Sequence, residues 1–341
     1  MRGGPGRWWH VVGAVVLVAA ATVADLKVQS DPAAASVAPA PPRLGHAEVV
    51  DTNDVGDPFV IRIPAPAGSK GPLYLRASTT DWESNIPSAV STDLVHWSQT
   101  PDLLPFLPYW GARTVSMTWA PAIMRAGRSW VLYYSTEERS SGLECIGRAT
   151  SGDATGPYYD ISPSPMICQR SLGGSIDPSV VDAGGGRHSL VWKNDGNSSG
   201  ALDSIWTQPL RADGLVVTGA RTQLLSVDRA WQAGVVEAPA MVSAPSGGWW
   251  LYYSGGAWRS ESYATGLAYC ARLDQACKET SAAPLLASRP GQMSPGGLDT
   301  FSDGKGRLWA AFTTLVAMPS TLHPGHVYYN RVLDVAPFVT R

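Results

Sequence analysis

Charged side chains are scarce in this chain of 341 residues. They make up 16% of it, and 26 basic against 28 acidic side chains leave a formal net charge of −2. A nucleic-acid partner needs a strong basic balance, so the composition argues against that class of function. Apolar residues reach 44%, which is enough for a large buried core.

Cysteine is scarce as well, since the chain has four. None forms a Cys-x-x-Cys pair or a cluster with histidine, so the sequence gives no sign of a zinc site and we expect no metal ligands among them. Four cysteines allow three pairings. We predict the two local disulfides Cys145–Cys168 and Cys270–Cys277, because each would join neighbouring segments of one repeat.

A long apolar segment is also lacking. Residues 11–24 form an apolar run that follows Arg2 and Arg7. This run is short for a membrane span and normal for the core of a signal peptide. Residues 1–24 are therefore predicted to be a signal peptide of a secreted protein, with an uncleaved membrane anchor as the alternative. Residues 25–45 are rich in Ala and Pro and are predicted to be an extended linker.

Turn residues and aromatic rings, by contrast, are abundant: 35 Gly, 27 Pro and 14 Trp. They form a repeat that begins with a polar or small residue and then Pro. An apolar run, a Gly turn and an aromatic strand follow in that order. The prolines of the repeat lie 56 to 63 residues apart, at Pro58, Pro121, Pro178, Pro239 and Pro295. Units of this length suit four strands each, so residues 46–341 are predicted to form an all-β, five-bladed β-propeller. A β-sandwich, the alternative, gives no reason for five matched units.

Carboxylates recur where these units begin. Asp57 and Asp177 directly precede the repeat proline, and Glu237 lies one residue earlier in its unit. The inner strands of a propeller converge on its central channel, so three carboxylates would shift one another's pKa values and supply both an acid and a base. The alternative for Asp57 and Asp177 is an Asx turn before proline. Trp119 stands at the same place in the second unit, either as a sugar contact or as packing between blades.

Five motifs stand along the chain: Asp57-Pro58, Trp119-Ala120-Pro121, Ile176-Asp177-Pro178-Ser179, Glu237-Ala238-Pro239 and the strand from Ser91 to Trp97. Together they resemble glycoside hydrolase family 43 over roughly residues 50–335. That family consists of five-bladed propellers that degrade arabinan and xylan. The resemblance implies an inverting hydrolase in which Asp57 is the general base, Glu237 is the general acid, and Asp177 holds Glu237 in place and keeps its proton on.

One motif departs from the family pattern. Arabinan-cleaving members often have Gly-Pro-Gly-His in the last blade, where the histidine helps to hold a central ion or water. Here Gly297 stands in place of that histidine, so we expect no cofactor and leave a central calcium ion in doubt, with His323 or His326 as substitutes in space. Gly297 is instead predicted to lie beside the substrate.

The predicted substrate is a polysaccharide or oligosaccharide that contains pentose or furanose units, of the arabinan or arabinoxylan type. The activity would be that of an α-L-arabinofuranosidase, an endo-arabinanase or a β-xylosidase. A galactofuranosidase of the same fold and a non-catalytic carbohydrate-binding propeller are the alternatives, but the latter would not need three carboxylates. Retaining, invertase-like propellers differ at all three carboxylate motifs. We expect the protein to be a monomer.

Overall fold

The computed structural model describes residue 1 and residues 39–339, apart from 66–67, 69–70, 83, 113–116 and 320–326. The predicted signal peptide, apart from residue 1, and residues 25–38 of the predicted linker lie outside the described residues, as do His323 and His326. In the part of the chain that is described, no helix has the length and apolar character needed to cross a membrane.

The described residues form 20 strands in five antiparallel sheets, which confirms the predicted five-bladed propeller. Three short 3-10 helices lie between strands, at Arg170–Leu172, Gly196–Ser198 and Ala230–Gln232. The chain begins with β1 (Arg43–Leu44) and β2 (Glu48–Asp51). Blade one then contains β3 (Gly56–Ile63), β4 (Leu73–Thr79), β5 (Ser88–Ser91) and β6 (Ser98–Thr100). Blade two contains β7 (Thr118–Ala126), β8 (Ser129–Glu138) and β9 (Leu143–Ser151).

Blade three contains β10 (Ile176–Gly184), β11 (Arg187–Lys193), β12 (Ser204–Pro209) and β13 (Thr222–Ser226). Blade four contains β14 (Glu237–Ser243), β15 (Trp249–Gly255), β16 (Ala264–Cys270) and β17 (Lys278–Glu279). Blade five contains β18 (Met293–Ser302), β19 (Leu308–Pro319) and β20 (Val327–Val339). Strands β1 and β2 both pair with β20, so the start of the propeller closes onto its end, and residues 43–44 of the predicted linker belong to this sheet.

Blade two differs from the expected four strands, because three are present within the described residues. Its outer edge instead makes two isolated bridges, Ile146 to Ile167 and Thr150 to Tyr159. The outer segment contains Pro157, Pro163 and Pro165. Proline has no backbone N–H to donate to a strand ladder, which explains why a continuous fourth strand does not form here.

The residue before each repeat proline has a left-handed backbone, with φ between 43° and 57°. These residues are Asp57, Ala120, Asp177, Ala238 and Ser294. In every blade the pairing of the inner strand with the next shifts across this point. The repeat proline therefore lies inside a β-bulge and not at the first position of its strand. A left-handed non-glycine residue costs about 1–3 kcal/mol and is typical of functional sites.

The blades pack through apolar and aromatic side chains of their central strands. Tyr134 on β8 lies against Gly147 on β9, where a Cβ would come within 2.5 Å of the ring, and Tyr253 on β15 lies in the same way against Gly266 on β16. Two disulfides join segments within blades two and four, Cys145–Cys168 and Cys270–Cys277. Both predicted pairings are thus confirmed.

Candidate active site

The first residues of the five inner strands meet at one end of the propeller and surround a pocket of about 510 Å³. All five residues predicted for the site line this pocket: Asp57, Trp119, Asp177, Glu237 and Gly297. Asp57 comes from blade one, Asp177 from blade three and Glu237 from blade four. Carboxylates that are 60 to 180 residues apart in the sequence therefore face a single cavity.

The bulges show that the three carboxylates do not occupy one repeat position. Asp57 and Asp177 hold the left-handed position before proline, whereas Ala238 holds it in blade four. Glu237 occupies the preceding position, which is that of Trp119 in blade two. The acid side chains thus reach the pocket from two different backbone positions of the repeat.

Asp57 lines the pocket, and its Oδ2 accepts a hydrogen bond of 2.7 Å from the Thr79 hydroxyl. The same hydroxyl accepts a hydrogen bond of 2.8 Å from the Ala120 N–H, so Thr79 ties blade one to blade two. Burial raises the pKa of Asp57 and the charge of Glu237 adds to this effect, while the Thr79 hydrogen bond and the charge of Arg331 oppose it. Asp57 is therefore a carboxylate of increased basicity that keeps one oxygen bound and fixed.

Asp177 is buried, and its backbone N–H donates to the Ser135 hydroxyl at 3.0 Å. Its Oδ2 accepts a hydrogen bond of 2.8 Å from the N–H of Ala238, the residue that follows Glu237. Asp177 thus fixes the backbone that carries Glu237. Burial raises the pKa of Asp177 well above its usual value, with the charges of Glu237 and Asp57 adding to the effect and Lys193 opposing it.

Glu237 is held on both carboxylate oxygens. Its Oε1 accepts a hydrogen bond of 2.7 Å from the Tyr263 hydroxyl, and its Oε2 lies 3.3 Å from the Lys193 Nζ. Burial, together with the charges of Glu237 and Asp57, raises the pKa of Tyr263 well above its usual value, so Tyr263 stays a donor. Gly296 makes room for this tyrosine, because a Cβ there would lie 2.1 Å from the Tyr263 ring.

Lys193 was missed by the sequence reasoning, although its side chain is fully buried beside the acids. Its Nζ contacts Asn197 Oδ1 at 2.5 Å, Asp203 Oδ2 at 3.3 Å and Asp195 Oδ1 at 3.7 Å, in addition to Glu237. Burial alone would lower the pKa of Lys193, but these carboxylates raise it above its usual value. The ammonium is therefore permanent, and Glu237 is one of the carboxyl groups in contact with it.

The repeat contains a signal that could have found Lys193. The residue that pairs with the start of the bulge is Thr79 in blade one, Ser135 in blade two and Ser254 in blade four. In blade three the same position is Lys193. Thr79 and Ser135 accept a backbone N–H from the next blade, but an ammonium has no acceptor, and Asp177 Oδ2 accepts that bond instead.

A charged wall of the pocket, on the side of blade five, was also not predicted from the sequence. Arg331 on β20 makes two hydrogen bonds to Asp54, at 2.7 and 2.9 Å, and lies 3.1 Å from Asp81. Its guanidinium stands 5.4 Å from the ring of Trp258, which Arg259 also approaches at 4.3 Å. This wall is polar and rigid, with an aromatic edge.

Gly297 has a left-handed backbone with φ of 60°, and its N–H donates to Ser254 Oγ at 2.9 Å. A Cβ at this position would lie 3.4 Å from Asp57 Oδ1, so glycine leaves open space beside this acid. Behind the pocket, the central channel holds a space of about 40 Å³ that Asp299 also lines. Burial raises the pKa of Asp299 to about 7, opposed by a hydrogen bond from the Val60 N–H.

Potential metal ligands come together at one place among the described residues, where Glu138, Cys145 and Cys168 lie within 4.8 Å of one another. The two cysteines form a disulfide, so they cannot bind a metal as thiolates. Gly297 supplies no side-chain ligand to the central channel. The expectation of no cofactor, with a central calcium ion in doubt, stays a prediction.

Comparisons with known proteins place this geometry in context. A family model described as "Glycosyl hydrolases family 43" matches residues 47–339. The chain is also similar to a solved thermostable family-43 glycoside hydrolase, at 20% identity and a TM-score of 0.69, covering 88% of this chain and 92% of that one. No curated protein sequence matched.

Two further solved structures with the same fold are enzymes with titles of their own. An endo-arabinase from Bacteroides thetaiotaomicron VPI-5482 is 17% identical with a TM-score of 0.66, covering 86% of this chain and 97% of that one. A xylan beta-1,4-xylosidase from Bacillus halodurans C-125 is 19% identical with a TM-score of 0.65, covering 84% of this chain. The present chain spans 53% of that xylosidase. At these identities the likeness shows the fold alone.

Proposed function

The chain belongs to glycosyl hydrolase family 43 and is a glycosidase, and we propose that it hydrolyses a pentose- or furanose-containing polysaccharide with inversion of configuration at the anomeric carbon. The observation that carries this proposal is the position of Asp57 and Glu237. They line one pocket of about 510 Å³ from blades one and four, which are not adjacent in the sequence order of the ring. An inverting pair needs a gap of about 6.5–9.5 Å so that a water fits beside the sugar.

In this proposal Asp57 is the general base. Its increased basicity suits it to take a proton from the attacking water. The hydrogen bond from Thr79 occupies Oδ2, and the open space at Gly297 lies next to Oδ1. Oδ1 is therefore the oxygen that would receive the proton of the water.

Glu237 is the general acid that protonates the leaving oxygen. As the bond to the leaving group breaks, Glu237 gains a negative charge, and the Lys193 ammonium at 3.3 Å stabilises this charge. Asp177 places Glu237 through the Ala238 N–H and adds a nearby negative charge that favours the protonated acid. Lys193 and Asp177 thus act on the same proton in opposite directions.

The wall residues support a sugar substrate. Trp119 and Trp258 line the pocket, and an aromatic ring suits the apolar face of a sugar while nearby polar groups bind its hydroxyls. Arabinan and xylan type chains are the proposed substrates, by analogy with the family. A galactofuranoside is the second candidate, because galactofuranose has the same five-membered ring as arabinofuranose.

The test is a panel of aryl glycosides and polysaccharides, assayed with the purified protein, with Asp57→Asn and with Asp182→Asn. Asp182 lies on β10 away from the pocket and serves as the matched control. We expect turnover on at least one arabinoside, xyloside or galactofuranoside, a loss of about 10²–10⁴-fold for Asp57→Asn, and little change for the control. Binding without turnover in the unmodified protein would instead indicate a carbohydrate-binding propeller.

Export belongs to the same proposal and is supported by the composition of residues 1–24. Sequencing the N-terminus of the protein recovered from the culture medium tests it. Recovery of the full-length chain from the membrane fraction would support the uncleaved anchor.

A further inference from the structure

The hairpin of β19 and β20 extends past the pocket. The pairing of β18 with β19 ends at Met293 and Leu315. The pairing of β19 with β20 continues for four more residue pairs, from Val316–Asn330 to Pro319–Val327. At about 3.3 Å per residue, the hairpin stands roughly 13 Å above the rim of its own blade.

One face of this hairpin is continuous with the pocket wall. Leu315 and Arg331 are paired, and both line the pocket. Side chains alternate along a strand, and paired residues point to the same side of a sheet. The next pair on the pocket side is therefore Ala317 with Tyr329, whereas Tyr328 points to the opposite face.

Tyr329 is well placed to contact a ligand that leaves the pocket. It is 55% exposed, and its cross-strand neighbour Ala317 is too small to cover the ring. Two residues below it, Arg331 is fixed by Asp54, so the base of the hairpin is rigid. An aromatic ring on a rigid strand loses little conformational freedom on binding.

We propose that Tyr329 forms a second sugar-binding subsite, in which its ring stacks on the unit next to the one held in the pocket. This inference rests on the proposed function, because the occupant is a neighbouring unit of the same substrate chain. Continuity with Leu315 and Arg331 selects this occupant, since a sugar chain that leaves the pocket along this wall reaches Tyr329 next. The enzyme would then prefer oligosaccharides to single-unit glycosides.

Tyr328 provides a matched control, because it is the adjacent residue, has the same side chain and is 54% exposed on the opposite face. Tyr329→Ala, Tyr329→Phe and Tyr328→Ala are compared on oligosaccharides of two to five units and on a glycosyl fluoride, which carries a single sugar. We expect Tyr329→Ala to raise KM for the oligosaccharides about 3- to 10-fold and to leave the fluoride unchanged. Tyr329→Phe keeps the ring and should behave like the unmodified enzyme, as should Tyr328→Ala.

Calorimetric binding of the same oligosaccharides in a Glu237→Gln background separates this subsite from turnover. Weaker binding with Tyr329→Ala, and not with Tyr328→Ala, supports the subsite even if no hydrolysis is detected. Equal effects of the two alanine variants would overturn it and point to a general role of the hairpin. An unchanged affinity with Tyr329→Ala would overturn it as well, while active hydrolysis by the parent enzyme would leave the proposed function standing.

Discussion

Lys193 Nζ lies 3.3 Å from Glu237 Oε2, at the strand position where blades one, two and four carry a serine or threonine. The hydroxyls of Thr79 and Ser135 bind the backbone of the next blade. Lysine gives up that contact and places a buried positive charge beside the proposed acid. Asp177 takes over the backbone contact, so both changes occur where the chemistry is proposed.

Replacing Lys193 should move the basic limb of the pH–rate profile to higher pH. Glu237 faces Lys193 and Tyr263, and the charges of Asp177, Asp57 and Asp203 also act on this group of residues. Without the ammonium, a neighbouring positive charge no longer favours the ionised form of the acid, so the basic limb of Lys193→Met should lie at a higher pH than that of the parent enzyme. The maximal rate should fall, because the charge that develops on Glu237 loses its stabilising partner.

Lys193→Met leaves Asp203 buried without its ion pair, so its thermal unfolding needs to be measured beside the double variant Lys193→Met/Asp203→Asn. In both variants the basic limb of the profile of kcat/KM against pH should lie at the same higher pH. A limb that stays in place in the folded double variant would mean that Lys193 has a structural role alone.

Asp177→Asn should move the same limb in the opposite direction. The acid loses a neighbouring negative charge that favours its protonated form, so the basic limb should fall to lower pH. Asparagine keeps a side-chain oxygen for the Ala238 N–H, so the backbone of Glu237 should hold its position. The profile of kcat/KM against pH checks this, and an upward shift would contradict the assigned role.

Glu144 should make the folded protein less stable in alkaline solution. It is 8% exposed, and its Oε2 has no hydrogen-bond partner among the described residues. Burial raises its pKa to about 8, and the charges of Glu137 and Asp195 add to this effect. The folded state thus holds the Glu144 proton more tightly than the unfolded state does. The stability that this proton contributes is complete below about pH 4.3 and is lost as the pH rises through about 8.

Glu144→Gln cannot ionise, so we expect its Tm to exceed that of the parent by several degrees at about pH 9 and to match it more closely at about pH 4. Thermal unfolding at both pH values checks this. Glu48→Gln, an exposed residue on β2, is the control and should change neither value. An equal Tm for Glu144→Gln and the parent at the higher pH would show that Glu144 does not titrate as described.

The five blades could be predicted from the sequence because each unit begins with the same pattern, a polar or small residue before proline and then an apolar strand. The exact register could not, because the bulge at this point separates the position of Asp57 from that of Glu237. The closing strand β1 was missed for a different reason. A two-residue strand such as Arg43–Leu44 has no periodicity that sequence patterns can show.

The three carboxylates of the candidate site were named from their repeat positions, but their partners were not. Lys193 and Tyr263 lie 44 and 26 residues from Glu237 and reach it across blades or from a loop before β16. Arg331 and Asp54 are 277 residues apart in the sequence and are hydrogen-bonded because the last blade closes onto the start of the propeller. Such contacts follow from how blades pack side by side, which the order of residues within one repeat does not specify.

The central claim is that Asp57 activates a water for a single displacement while Glu237 protonates the leaving group. Proton NMR of the early reaction, on a substrate whose two product anomers are resolved, tests it most directly. Our account predicts that the first product has the inverted anomeric configuration and that the other anomer appears later, by mutarotation. Retained configuration at the first time points would contradict it and would make Asp57 a nucleophile.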